Sequence, residues 1–187
     1  KTLKQQSVLV YEEFLTEYPS SRLRARALFN MGQELRELGD YDTMRDAFER
    51  LVRELPAHPL TLEALLVLGN DYFDRNKLEE AARRYEKITS AQLHKVSGLA
   101  HYKLAWVRMN QDRCADAITS FEAALNASKR WLNIQQRENP RERSLEGSEF
   151  DVRRGALVDM MFCYSKERPE KGAVAHLKTL AYDRGPL

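Results

Sequence analysis

Few residues of this chain could do acid–base or metal chemistry, and they are widely spaced. Catalytic and metal-binding motifs place His, Cys or carboxylates at short, fixed spacings on one element. The four histidines, His58, His94, His101 and His176, show no such pattern. His94 and His101 could share one helical face two turns apart, but the register offers them no further ligand. We therefore predict no catalytic residues, no metal and no cofactors.

The distribution of charge also argues against an enzyme. Acidic pairs such as Glu12-Glu13 and Glu79-Glu80 have the pattern of solvated helix faces, and the eight glycines are dispersed, with no phosphate-binding loop. Thirty Lys and Arg nearly balance twenty-eight Asp and Glu, so the net charge is +2. The two signs are interspersed along the chain. We predict that the chain is not an enzyme and that its charge demands neither nucleic acid nor an anionic membrane.

The two cysteines, Cys114 and Cys163, lie far apart in sequence. They lack the C-x2-C spacing of zinc and thioredoxin-like sites. Our primary expectation is two free thiols. The alternative is a single bridge between adjacent repeated units, which an oxidising periplasm would permit.

Apolar residues recur at helical spacing along the whole chain, as in Leu28, Met31, Leu35 and Leu38. In four places a small or apolar hinge residue is followed twelve residues later by a second apolar stripe: Gly32 to Met44, Gly69 to Ala81, Ala105 to Ala117, and Met161 to Ala173. Self-similarity at a period of about 20 to 50 residues is typical of a helical repeat array. Gly39-Asp40 is predicted to end one helix and cap the next, and Asn76 with Glu79 resembles a capping box.

These units resemble the tetratricopeptide repeat (TPR), whose motif reads W-x2-L-G-x2-Y, then A-x3-F, then P. The clearest matches are Leu28, Met31, Gly32, Leu35, Met44, Phe48, Leu51 and Pro56 in the first unit, and Leu65, Leu68, Gly69, Tyr72, Ala81, Tyr85 and Ile88 in the second. In the third unit His101 and Arg108 stand where large apolar residues are expected. In the fourth, Met161 replaces the small hinge residue. The resemblance implies an all-α, right-handed α-α superhelix, the TPR solenoid.

The hinges are separated by 37, 36 and 56 residues. We predict a single array over residues 1–187, with a half repeat at 4–19, repeats at about 25–58, 62–95, 98–131 and 154–187, and an insertion at about 132–153. The second helix of the third unit should overshoot to about Gln136, and the next helix should begin near Glu149 to Val152. Because the chain lacks an initiating Met and opens with half a repeat, we expect a fragment of a longer protein.

The link Tyr18-Pro19-Ser20-Ser21 resembles that of bacterial envelope TPR proteins, such as the barrel-assembly lipoprotein of the outer membrane and the Tol-Pal-associated periplasmic protein. This resemblance implies a place in the periplasm or cell envelope, with the cytoplasm as the alternative. No stretch approaches the roughly 18 apolar residues of a membrane span. We therefore expect no direct membrane insertion of this segment.

In TPR arrays the first helix of each pair lines a concave groove that receives a partner. The resemblance assigns to this groove an apolar and aromatic set: Phe29, Gln33, Leu66, Asn70, Phe73, Tyr102, Trp106, Met109 and Phe162, with Val158 beside them. Aromatic residues and Met are enriched in protein interfaces, and the Asn70 amide could bond a peptide backbone. Core packing is the alternative for each aromatic residue.

The carboxylate clamp of chaperone-binding TPR proteins needs Lys and Asn where Phe29, Gln33 and Leu66 stand. Acidic C-terminal peptides are therefore not the expected ligand. Replacing Trp106 and Asn70 together by Ala is predicted to weaken partner binding with little change in melting temperature.

These patterns predict a non-catalytic scaffold or adaptor that binds a peptide or helix of another protein within a bacterial envelope assembly. One alternative is an architectural segment of a longer TPR protein, which self-assembles, for example as a homodimer, through exposed array ends. A further alternative is an RNA-binding helical repeat. Its basic patch would be Lys129, Arg130, Arg137, Arg141 and Arg143, diluted by Glu138 and Glu142, and we expect no nucleic acid partner.

Overall fold

A computed structural model describes residues 2–138, 151–168 and 171–181 of the 187-residue chain. These residues form nine helices and no strand: α1 Leu3–Glu17, α2 Arg24–Leu38, α3 Tyr41–Glu54, α4 Pro59–Asp74, α5 Leu78–Thr89, α6 Ser97–Asn110, α7 Cys114–Glu138, α8 Arg153–Glu167 and α9 Ala173–Ala181. The prediction of an all-α fold is confirmed for this part of the chain.

Local hydrogen bonds explain where several helices begin. At α1, the Gln5 backbone N–H donates to Thr2 Oγ1 at 3.3 Å, and the Thr2 N–H donates to Gln5 Oε1 at 2.9 Å. This reciprocal pair is a capping box. At α3, the Thr43 N–H donates to Asp40 Oδ1 at 3.2 Å, so the predicted Asp40 cap is confirmed. Helix α4 begins at Pro59, where a missing N–H leaves no helical hydrogen bond unmade.

The turns inside the first three repeats share one backbone geometry. Gly39, Asn76 and Asp112 have φ angles of 77°, 56° and 57°. The residue after each of them donates its N–H to the carbonyl five positions earlier, at 3.0, 2.8 and 2.8 Å. This is a left-handed closing turn of the Schellman type. The predicted capping box of Asn76 and Glu79 is wrong, because Asn76 closes α4 and α5 begins at Leu78 without a side-chain cap.

The chain divides into two compact units, residues 1–68 and 69–187. In the first unit α1 packs on α2 and α2 on α3. A Cβ atom added to Gly32 would lie 2.6 Å from the Phe48 ring, so this ring can pack only on a glycine. Arg24 ties the unit together, since its Nε donates to Glu54 Oε2 at 2.9 Å and its Nη1 to the Leu15 carbonyl at 3.0 Å.

In the second unit the same hinge packing recurs. A Cβ on Gly69 would lie 2.5 Å from the Tyr85 ring, and Ala105 shares a fully buried core with Phe121. The fourth repeat differs, because its hinge residue Met161 is 46% exposed. Helix α9 contributes no buried residue among those described. The fourth repeat therefore lacks the tight hinge of the others.

Helix α7 is 25 residues long, which confirms that the second helix of the third repeat overshoots. Its extension carries the buried Leu132, and its Trp131 ring lies 6.1 Å from the His94 ring. Helix α8 begins at Arg153, just after the predicted start. Most of the predicted insertion, residues 139–150, lies outside the described residues, as does its predicted break at Asn139-Pro140.

The expectation of two free thiols is wrong, because Cys114 and Cys163 form a disulfide. Cys114 begins α7 and Cys163 lies near the end of α8, and their Cα atoms are 4.9 Å apart. Both residues are buried. Because α7 and α8 pack against each other in opposite directions, two residues 49 positions apart in sequence become neighbours.

Candidate partner-binding surface

Three of the predicted groove residues belong to the first unit, and two of them, Phe29 and Leu66, pack internally. Phe29 is half-buried with its ring edge-on to Phe48 at 5.6 Å. Leu66 is 7% exposed, which leaves little of it for a partner. Gln33 is half-buried, and its Oε1 has no hydrogen-bond donor within the described residues.

Asn70 and Phe73 lie on α4 in the second unit, and both are half-buried. The Tyr85 hydroxyl donates to Asn70 Oδ1 at 2.8 Å. Burial and the nearby Asp74 raise the pKa of Tyr85, so this hydroxyl keeps its proton. Asn70 thus holds a core tyrosine in place, and we now expect Asn70→Ala to lower stability as well as any binding.

The remaining predicted residues lie on α6 and α8, which are linked through Tyr102. Its ring is edge-on to Phe121 at 5.9 Å, and its hydroxyl donates to Asp159 Oδ2 at 2.5 Å. Burial raises the pKa of Tyr102, the bond to Asp159 adds to this rise, and the Trp106 side chain opposes it. One side-chain hydrogen bond, from the Tyr102 hydroxyl to Asp159, therefore links α6 to α8.

The register of α6 and α8 follows from two contacts. Tyr102 meets Asp159 in the middle of both helices, and just beyond the end of α6 Asp112 Oδ1 lies 3.6 Å from Lys166 Nζ near the end of α8. The two helices therefore run in the same direction. One turn beyond the first contact, Trp106 on α6 lies at the level of Phe162 on α8.

We call Tyr102, Trp106, Met109 and Phe162 the aromatic surface. Tyr102, Trp106 and Met109 are half-buried and pack on the core around Phe121. Phe162 is 56% exposed, and the neighbouring Val158 is 63% exposed. All nine predicted groove residues stay predictions as partner contacts, but these four share one part of the second unit and include a large exposed ring.

Two charged residues at this surface were missed by the sequence analysis, Asp159 and Lys166. The Lys166 ammonium lies 4.6 Å from the centre of the Phe162 ring, within the range of a cation–π interaction. A signal for Asp159 was present, because it is the one charged residue in the apolar run 155–165. Its link to Tyr102 depends on tertiary packing and could not be read from that run.

The departures of the third repeat from the TPR motif make structural contacts. Arg108 donates from Nη1 to the Asp116 carbonyl at 3.3 Å and also to Ser120 Oγ, so it fastens α6 to α7. Burial lowers the pKa of His101, and the positive charge of Arg108 lowers it further.

Within the part of the chain that the structure describes, no group of His, Cys, Asp and Glu could hold a metal ion. None of the described helices combines the length and apolar character needed to cross a membrane. Three residues of the predicted basic patch, Lys129, Arg130 and Arg137, are exposed on α7. Arg141 and Arg143 lie outside the described residues.

Comparison with known proteins identifies the repeat type. Two family models, each described as a tetratricopeptide repeat, match residues 23–93 and 66–130. A search of curated proteins finds no significant match. Among solved structures, the MamA RS-1 ArsTM double mutant has a TM-score of 0.61 and 15% identity over 97% of this chain and 87% of its own. A crystal structure of MamA also has a TM-score of 0.61 and 15% identity, over 97% and 94% of the two chains.

The resemblance to the MamA structures is one of fold, and it supports the predicted α-α solenoid class. The two family matches overlap in the second repeat and together span the first three. They agree with the hinge packing of Gly32, Gly69 and Ala105. Residues 23–130 of the chain therefore belong to the tetratricopeptide-repeat family.

Proposed function

We propose that this chain is a non-catalytic scaffold that binds a peptide or helix of a partner protein on its aromatic surface. TPR domains typically bind proteins and are generally not catalytic, and two such matches cover residues 23–130. The observation that carries the proposal is the exposure of Phe162 and Val158 on α8, the helix whose Asp159 accepts the Tyr102 hydroxyl from α6. Rigid aromatic side chains next to exposed apolar area are typical of binding hot spots.

We further propose that the protein works in an oxidising compartment, such as the periplasm or envelope assembly that the resemblance implies. The support is the buried disulfide between α7 and α8, because structural disulfides are rare where thiols are kept reduced. Trapping free thiols in intact source cells before lysis tests this. The proposal expects both cysteines to react only after reduction, and reaction without reductant would contradict it.

Selection from a random-peptide library on the purified chain tests the binding function. We expect enriched peptides whose binding is lost in Trp106→Ala and in Phe162→Ala. The matched control is Tyr41→Ala, which removes a 52% exposed aromatic side chain on α3. Failure to enrich any peptide, or equal losses in all three variants, would overturn the assignment to the aromatic surface.

Self-assembly is a second candidate, favoured by apolar residues exposed on two separate elements. Leu3 and Val10, seven positions apart on one face of α1, are 82% and 63% exposed, and Val174 on α9 is 66% exposed. Sedimentation velocity over a range of concentrations decides between the candidates. Reversible association that is abolished by Val10→Glu or Val174→Glu would favour the architectural function.

A further inference from the structure

We infer that Asp159 makes the aromatic surface selective for partners that present a Lys or Arg side chain. This inference rests on the proposed function and adds the chemistry of the partner to it. Its basis is the Asp159 carboxylate, which accepts the Tyr102 hydroxyl, and the Phe162 ring one turn further along α8, which already carries the Lys166 ammonium.

The position of Asp159 is set by its neighbours on α6. The Tyr102 hydroxyl donates to Asp159 Oδ2 at 2.5 Å, and the Tyr102 ring is itself held edge-on to Phe121 at 5.9 Å. Within the described residues Asp159 Oδ1 accepts no hydrogen bond. Gly155, one turn earlier, leaves room for the pair, because an added Cβ would lie 3.3 Å from the Tyr102 hydroxyl. Oδ2 therefore orients the Asp159 carboxylate, and Oδ1 can accept a hydrogen bond from a partner.

Lys166, a cation of the chain itself, already lies against this part of the molecule. Its ammonium lies over the Phe162 ring at 4.6 Å and 3.6 Å from Asp112 Oδ1, so a ring face and a carboxylate hold it together. Asp159 and Phe162, one turn apart on α8, offer the same two kinds of group. A partner cation at Asp159 would use this pair, and Lys166 would compete with it for the ring.

The chemistry of the surface favours a basic side chain over other occupants. A guanidinium or ammonium group can donate a charge-assisted hydrogen bond to Asp159 while resting on an aromatic face. An acidic side chain would meet the negative charge of Asp159. A bare divalent cation needs several oxygen ligands, and no group of three or more His, Cys, Asp or Glu among the described residues could hold one.

The random-peptide selection is repeated on the wild type, Asp159→Asn and Lys166→Met. In the wild type we expect enriched peptides to carry Arg or Lys at one fixed position. The best of them should bind Asp159→Asn about tenfold or more weakly and Lys166→Met more tightly. The Asn side chain keeps an acceptor for the Tyr102 hydroxyl, so the fold is preserved. Asp46→Asn, which removes an exposed charge on α3, is the matched control and should bind as the wild type does.

A second measurement needs no protein variant: the Arg of the best peptide is replaced by citrulline, which has a similar shape and no charge. A loss of affinity comparable to that caused by Asp159→Asn supports the inference. Enriched peptides without a basic residue, or equal binding to wild type and Asp159→Asn, would overturn it and leave the proposed function standing. If no peptide binds in a Trp106-dependent way, the proposed function fails as well.

Discussion

The hinges of the first two repeats and the hinge of the fourth hold their helix pairs by different means. Gly32 and Gly69 lie beneath the rings of Phe48 and Tyr85, so close that an added Cβ would be 2.6 and 2.5 Å from them. In the fourth repeat the hinge is Met161, which is 46% exposed. Close packing of a ring on a glycine therefore secures the early pairs, and the fourth pair lacks it.

Directional links from the third repeat take the place of hinge packing in the fourth. The disulfide joins Cys163 of α8 to α7, and the Tyr102 hydroxyl reaches Asp159 from α6. His176 on α9 lies 3.0 Å from Glu122 Oε1 on α7 and stacks on Tyr164. A repeat can therefore depart from the hinge pattern when cross-links to its neighbour compensate.

The largest expected effect comes from removing the disulfide. For a separation of 49 residues, replacing both cysteines by Ala should cost about 4 kcal/mol, chiefly through the entropy of the unfolded chain. Hydrogen exchange should show the loss of amide protection concentrated in α8 and α9, with α2 and α3 unchanged. Uniform loss along the whole chain would contradict the special dependence of the fourth repeat.

The second-largest effect on stability is expected from substitutions at the two kinds of hinge. Gly32→Val should destabilise the chain by about 3 kcal/mol, since a branched side chain would have to displace the Phe48 ring. Met161→Val should change stability by no more than about 0.5 kcal/mol, because Met161 is partly exposed. Both values come from urea unfolding curves. Similar losses of unfolding free energy at the two hinges would contradict the difference between them.

A smaller effect is expected at Asn70. Asn70→Ala should cost about 1–2 kcal/mol, because the buried Tyr85 hydroxyl loses its acceptor. Adding Tyr85→Phe should recover most of this loss and reproduce the apolar ring of the first repeat, where Phe48 stands. Thermal unfolding of the single and double variants measures the recovery. No recovery would mean that Asn70 stabilises the fold in another way.

The smallest effect is on pH dependence in the third repeat. Burial and then Arg108 lower the folded-state pKa of His101 below the ordinary 6.5. The unfolded state therefore binds the proton more readily than the folded state does. The stability that depends on a neutral His101 is complete above pH 6.5 and is lost as the pH falls below it. His101→Gln should flatten the fall in unfolding free energy on acidification. An unchanged slope would contradict the role of His101.

Much of the fold follows from periodic patterns. The apolar stripes and the twelve-residue hinge spacing predicted the helix pairs, and the continued pattern beyond Ala115 predicted the long α7. The Asn76 cap was mispredicted because Asn is suited both to beginning a helix and to the left-handed turn that ends one. Sequence could not decide between these roles, since they differ by a backbone angle.

The candidate site was only partly predictable. The motif register placed Tyr102, Trp106 and Phe162 on first helices, and the structure has them on α6 and α8, which the bond from Tyr102 to Asp159 links. The register also assigned Asn70 to the groove. The structure shows that Asn70 Oδ1 accepts a hydrogen bond from the hydroxyl of the core residue Tyr85. The motif register predicts the face of the helix on which a residue lies. It does not predict the hydrogen-bond partners of that residue, because these lie on other helices.

By itself the sequence determined the all-helical class, the repeat type and the irregular fourth hinge, because each depends on residues within a few turns of one another. Only the tertiary structure decided the pairing of Cys114 with Cys163 and of Tyr102 with Asp159. Those pairs span 49 and 57 residues and cross the long insertion. Their contact depends on the direction and register of packed helices, which no local spacing encodes.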